Sequence, residues 1–116
     1  MLHVFVSYSQ KNATLVSPII DHLQKQGVDV WMDHERLSPG TPDWEAAIRM
    51  GVQRADYIVY MATPEARKSS SVKDELHLAE RYQKPVLPMW LRGENWMDAE
   101  PLGYSMAQYI DARESS

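Results

Sequence analysis

Cysteine is absent from this chain, which removes disulfides, thiolate nucleophiles and cysteine-based zinc sites and fits a reducing, cytoplasmic setting. Glycine is sparse, with five residues in all, and none clusters after the first apolar segment, Val4-Phe5-Val6. That excludes both a P-loop and the glycine fingerprint of a redox dinucleotide site. No apolar run approaches the roughly 18 residues of a membrane span. The start, Met1-Leu2-His3, lacks the basic segment and long apolar stretch of a signal peptide. Basic residues are outnumbered, twelve Lys and Arg against sixteen Asp and Glu, which argues against a nucleic-acid face. His34 and His77 lack the paired i, i+4 spacing of zinc-binding helices, so no metal site is expected.

What is present is an ordinary globular composition in 116 residues, enough for one domain with a single core. The polar end, Arg113-Glu114-Ser115-Ser116, reads as the cut edge of a domain excised from a longer multidomain protein. Apolar bursts alternate with amphipathic helical patterns, the signature of βα units that build a parallel sheet. Strands are predicted at Val4–Val6, Val28–Met32, Tyr57–Ala62, Pro85–Leu91 and Ala107–Asp111. Pro88 is expected to weaken pairing in the fourth, because it cannot donate to a ladder. Leu15, Ile19, Ile20 and Leu23 mark a first helix that ends at Gly27. It starts either at Pro18 behind a Ser17 cap or near Asn12 with Pro18 inside. A second helix carries Trp44, Ala47, Ile48 and Val52 on one face. The expected fold is a flavodoxin-like three-layer α/β sandwich: a five-stranded parallel sheet, ordered 2-1-3-4-5, with helices on both faces.

The run after the third strand, Ala62 to Leu76, holds the most informative residue. Its serines open an amphipathic helix, with Ser71 and Asp74 at a capping-box spacing and Glu75 in the first turn. A carboxylate there lies at the carboxyl edge of the sheet, where open α/β folds bind ligands. The plainer alternative is an acid that complements the helix dipole. Ser7, Tyr8 and Ser9 end the first strand beside the expected switch point and are candidates for ribose or phosphate contact, or simply strand-terminating polar residues. Arg36 and Lys11 are candidates for pyrophosphate contact, or solvated surface. Trp44 either covers a pocket mouth or belongs to the core. Ser69-Ser70-Ser71 has no nearby His-Asp arrangement for a serine hydrolase.

Four landmarks recur in order between Val4 and Leu76: Val4-Phe5-Val6-Ser7-Tyr8-Ser9; Val30-Trp31-Met32-Asp33 entering a loop with Leu37, Pro39 and Gly40; Trp44 with Ile48; and Ser70-Ser71-Val72-Lys73-Asp74-Glu75-Leu76. With them the chain resembles a TIR (Toll/interleukin-1 receptor-like) domain of the bacterial type. The resemblance implies an NAD+ glycohydrolase, with Glu75 at the position of the family's catalytic glutamate and NAD+ as substrate, not cofactor. It also places Asp33 at the edge of the nucleotide pocket. Ser71 stands where many relatives carry an aromatic residue or Cys, and a ring there is well placed to stack on a base; its loss favours hydrolysis over cyclisation. Leu37, Ser38, Pro39, Gly40, Thr41 and Pro42 correspond to the BB loop, a self-association surface in the family. The implied partners are therefore other TIR domains, in a homo-oligomer or filament, and a fused sensor or effector domain, with an implied role in anti-phage or immune-type signalling.

One carboxylate suffices for that reaction. Glycosidases ordinarily use two, one of them to protonate the leaving group, whereas nicotinamide in NAD+ is already cationic and departs neutral. The competing reading is a non-catalytic TIR module that acts by homotypic assembly. A nucleoside-processing hydrolase would use the same carboxylate logic on another N-glycoside. A phosphoacceptor receiver domain is rejected: it needs an acidic pair after the first strand, where Ser7-Tyr8 stands, and an Asp at the end of the third, where Ala62-Thr63 stands.

Overall fold

A computed structural model describes residues 1–32, 42–101 and 108–113, with the backbone alone for 42–44. Five parallel strands, β1 (His3–Ser7), β2 (Asp29–Trp31), β3 (Tyr57–Ala62), β4 (Val86–Trp90) and β5 (Ile110–Asp111), form one sheet in the order β2-β1-β3-β4-β5. The helices are α1 (Ala13–Lys25), α2 (Pro42–Arg54), α3 (Pro64–Lys68), α4 (Ser70–Arg81) and α5 (Trp96–Ala99), and a single 3-10 turn, Gln10–Asn12, leads into α1. This is the flavodoxin-like α/β layout that the alternating pattern implies.

The strands alternate their side chains between two cores, as a two-residue period demands. Phe5, Ile58, Tyr60 and Ala62 point to the face covered by α2, α3, α4 and α5, where they meet Ile48, Val52, Ala66, Val72, Leu76 and Ala79. Val4, Val6, Tyr8, Val59 and Met61 point to the other face and pack with Val16 and Ile20 of α1. Among the described residues α1 is the only helix on that side, and Leu87 and Ile110, at the far edge of the sheet, remain exposed.

The first helix takes the longer of its two alternatives, with Asn12 at its N-cap and Pro18 inside. Gly27 follows its end with a φ of 86°, the left-handed turn that glycine adopts without a Cβ penalty. The fifth strand is shorter than the expected 107–111, of which Ala107 lies outside the described residues. The reason is Pro88. The Leu91 N–H donates to Ala62 O, while the Trp90 carbonyl accepts from the Ala112 N–H. Even-numbered residues of β4 therefore face β5, and Pro88 has no N–H to offer there. Pairing with β5 begins only at Met89 and Ile110, whereas the β3 side runs unbroken through Tyr60 opposite Pro88. Beyond β4, Trp90 meets Trp96 and Tyr109 edge-on, and the Arg113 guanidinium lies 3.5 Å over the Trp90 ring, which fastens α5 and β5 together.

The segment after β3 departs from the sequence reading. Two helices replace one. Thr63 caps α3, with Pro64 in its first turn, and its hydroxyl accepts the Ala66 N–H at 3.0 Å. Ser69 ends α3 in an extended conformation and caps α4 by accepting the Val72 N–H at 3.3 Å. The cap is thus Ser69, not Ser71 with Asp74, and the helical frame begins earlier than expected. Glu75 falls in the second turn, and the first turn holds no acid. The helix-dipole explanation for Glu75 loses its basis, since that effect fades beyond the first turn.

Candidate functional site

Glu75 lies on the buried stripe of α4 with Val72, Leu76 and Ala79, and is 2% exposed. Burying a carboxylate among apolar side chains is costly unless hydrogen bonds compensate. Ser7, the last residue of β1 and fully buried, donates its hydroxyl to Glu75 Oε1 at 2.6 Å. That length is in the range of a charge-assisted O–H···O⁻ bond. The period of β1 explains the pairing: Ser7 follows Phe5 on the face toward α4, where the strand reaches its carboxyl end. Two residues far apart in the chain are brought together at the switch point between β1 and β3.

We expect Ser7→Ala to lower the free energy of unfolding by about 1.5–3 kcal/mol, since a hydrogen bond to a buried charged group is lost. In a Glu75→Leu background the same change should cost much less. Urea unfolding of the four proteins gives the coupling, and a value under about 0.5 kcal/mol would show that the bond carries no energy.

Above Glu75, α2 and α4 bound a groove of about 560 Å³. Glu45, Ile48 and Arg49 line it from α2, and Ser71, Asp74, Glu75, His77, Leu78 and Arg81 from α4. Glu45 and Arg49 form an i, i+4 ion pair at 2.9 Å. The Glu45 hydrogen bond, with a second to Tyr82, raises the pKa of the Arg49 guanidinium above its ordinary value. Among the described residues no group of three His, Asp or Glu side chains is placed to hold a metal ion.

The other expected site residues separate. Ser71 is in the groove wall, within 3.1 Å of the Ser69 hydroxyl. Tyr8 packs on the α1 side of the sheet, away from the groove. Ser9 is buried and accepts the Lys11 N–H at 3.3 Å, which caps the 3-10 turn; Lys11 itself is exposed. Pro42 opens α2, and Trp44 follows in the same helix. Asp33, Arg36, Leu37, Ser38, Pro39, Gly40 and Thr41 lie outside the described residues.

Several polar residues escaped the sequence reading. Asn12 is buried, accepts the Thr63 hydroxyl at 2.7 Å and donates to Glu65 at 2.8 Å. This ties the segment after β1 to the segment after β3, and an Asn before a helix gives no hint of it beyond a cap. Arg49 and Arg81 were equally silent as groove residues. Only the i, i+4 spacing of Glu45 and Arg49 offered a signal.

A family model for the TIR domain matches residues 4–116. No curated protein matches the sequence. Among solved structures, the TIR domain of the Toll-related receptor TRR-2 from the lower metazoan Hydra magnipapillata superimposes with a TM-score of 0.76 at 14% identity, over 94% of this chain and 82% of that one. The TIR domains of the activated Roq1 resistosome, which directly recognises the pathogen effector XopQ, give 0.62 at 19% identity, over 77% of this chain and 57% of that one. A 2-deoxyribosyltransferase from the psychrotolerant bacterium Bacillus psychrosaccharolyticus gives 0.58 at 15% identity, over 90% and 93%. At these identities the likeness is one of fold.

Proposed function

This chain belongs to the TIR domain family, and from that premise we propose that it is an NAD+ glycohydrolase of the bacterial type with Glu75 as its catalytic carboxylate. The observation that carries the reading is Glu75 itself: buried, held by Ser7 at the carboxyl end of β1, and lining a groove large enough for a small molecule. In the proposed reaction the bond between nicotinamide and ribose C1′ breaks, and its electron pair leaves with the now neutral nicotinamide. Glu75 stabilises the cation that develops on the ribose, and water adds at C1′ and gives up a proton to solvent, which leaves ADP-ribose. With Ser71 in place of an aromatic residue at that position of the groove wall, hydrolysis is favoured over a cyclic product. The likeness in fold to a 2-deoxyribosyltransferase, described as a suitable biocatalyst for the synthesis of nucleosides, is consistent with sugar–base chemistry on this layout.

The reading extends to assembly with further TIR domains through the segment Leu37 to Pro42, to a fused sensor or effector domain, and to a cytoplasmic role in anti-phage or immune-type signalling. Glu75 is closed to solvent, so substrate access needs a rearrangement that contact between copies can drive. The same burial favours a second reading, a non-catalytic assembly module in which Glu75 and Ser7 merely tie α4 to β1.

Nicotinamide release from NAD+, followed from dilute to concentrated protein, tests both. We expect release whose rate rises more steeply than linearly with protein concentration. Strictly linear scaling would sink activation by assembly, and silence even in enforced assemblies would leave the adaptor reading.

A further inference from the structure

Glu75 and Ser7 are both buried, so a ligand reaches them only if the fold opens locally. In open α/β sheets the ligand crevice lies between the segments that leave the two strands at the switch point, here β1 and β3. One side-chain clasp joins those two segments. Asn12 ends the 3-10 turn that leaves β1, stands at the N-cap of α1 and is buried. Thr63 follows β3 and is fully buried. The Thr63 hydroxyl donates to Asn12 Oδ1 at 2.7 Å, and Asn12 Nδ2 donates to Glu65 Oε1 at 2.8 Å. Val16 and Ile20 of α1 pack on one face of the sheet and Ala66 of α3 on the other. The clasp therefore passes over the carboxyl edge from face to face.

We propose that this clasp is an autoinhibitory latch, which keeps the crevice between β1 and β3 shut over Ser7 and Glu75 until it is broken. The inference rests on Glu75 being the reactive carboxylate and adds what closes its site. The clasp is made by side chains alone, so it can part without unwinding a helix or unpairing a strand. The turn that it holds is tied within itself: the Asn12 N–H donates to Ser9 O at 2.8 Å, and the Lys11 N–H to the Ser9 hydroxyl at 3.3 Å. It can therefore swing as one piece. The anchor is secure without Asn12, because the Thr63 hydroxyl also accepts the Ala66 N–H at 3.0 Å and so caps α3. Opening costs one hydrogen bond between neutral groups and one to a carboxylate, a difference of the size that separates a minor from a major conformation.

The chain has no cysteine, so a single introduced thiol reports opening at one place. The test is the rate at which an aromatic disulfide reagent labels Ser7→Cys, with and without Asn12→Ala. Val52→Cys, at a fully buried position of α2, is the control for global unfolding. We expect Asn12→Ala to speed labelling at position 7 about tenfold or more, the weight of a hydrogen bond to a charged group, and at position 52 less than about twofold. Glu65→Ala breaks only the outer bond, leaves the Thr63 cap in place and should act in the same sense. Amide hydrogen exchange of the thiol-free parent and Asn12→Ala gives the same comparison, between the exit of β1 and α2, if Ser7→Cys does not fold. Nicotinamide release by dilute Asn12→Ala should exceed the parent's about tenfold, in step with the open population, and should depend on concentration less steeply. Opening at position 7 that Asn12→Ala leaves unchanged, or that rises equally at position 52, overturns the latch. So does faster opening with no gain in release over a parent that releases nicotinamide, since the clasp would then only brace the fold. Faster opening confined to position 7, with no release by parent or variant at any concentration, would remove the hydrolase reading and leave the clasp as the closure of the crevice.

Discussion

Glu75→Gln is expected to reduce nicotinamide release about a thousandfold while leaving the fold intact. A carboxylate about 4 Å from the developing ribose cation, at an effective dielectric of about 20, contributes about 4 kcal/mol, and each 1.36 kcal/mol of that is about tenfold in rate. The amide is nearly isosteric and its oxygen can still accept the Ser7 hydroxyl that now bonds Oε1 at 2.6 Å. The substitution therefore removes the charge and keeps an acceptor for Ser7. Urea unfolding of parent and variant provides the control, since a midpoint shift of less than about 0.5 M would show that α4 is still seated on β1. A variant that keeps more than about a tenth of the parent's rate would remove Glu75 from the catalytic role.

The second large effect concerns stability. Phe5 is the only phenylalanine in the chain and is fully buried in the middle of β1. It shares a face with Ser7 and belongs to the core built with α2 and α4. Phe5→Ala should lower the free energy of unfolding by about 3–5 kcal/mol, from lost transfer energy plus the cavity left behind. For a domain of this size that is a large part of a total of about 5–15 kcal/mol. With a urea m-value of about 2 kcal/mol/M, the midpoint should fall by about 2 M. Phe5→Leu, which keeps most of the volume, should cost much less. A cost for Phe5→Ala below about 1.5 kcal/mol would mean that the two helices close over the gap and that the seat of Glu75 is softer than its burial indicates.

The packing around Trp31 shows how closely α2 is set on the sheet. A Cβ at Gly51 would come within 2.6 Å of the Trp31 indole nitrogen, so the absence of a side chain there fixes how near α2 can lie. That approach brings Glu45 and Arg49 opposite α4 and so gives the groove its width. Glycine inside a helix reads from sequence only as a weak spot. Its reason, an indole from β2, is a contact between segments that the sequence does not announce.

Local pattern alone determined the sheet. Strands buried on both faces have to be continuously apolar and helices that cover them have to be amphipathic, so the order of β and α elements, the parallel sheet and the position of Glu75 beyond β3 were all written in the chain from Val4 to Asp111. The landmarks that carry the TIR resemblance lie within it, between Val4 and Leu76, because motif spacing is also a local property. Tertiary structure decided what no spacing encodes. It moved the cap to Ser69, since Thr63-Pro64 closes a helical turn of its own before α4 begins. It shortened β5, since Pro88 presents its missing donor to that side of the sheet. It also joined Ser7 to Glu75 and brought Arg49 and Arg81 to the walls of one groove, an arrangement that exists only once β1, α2 and α4 are packed together.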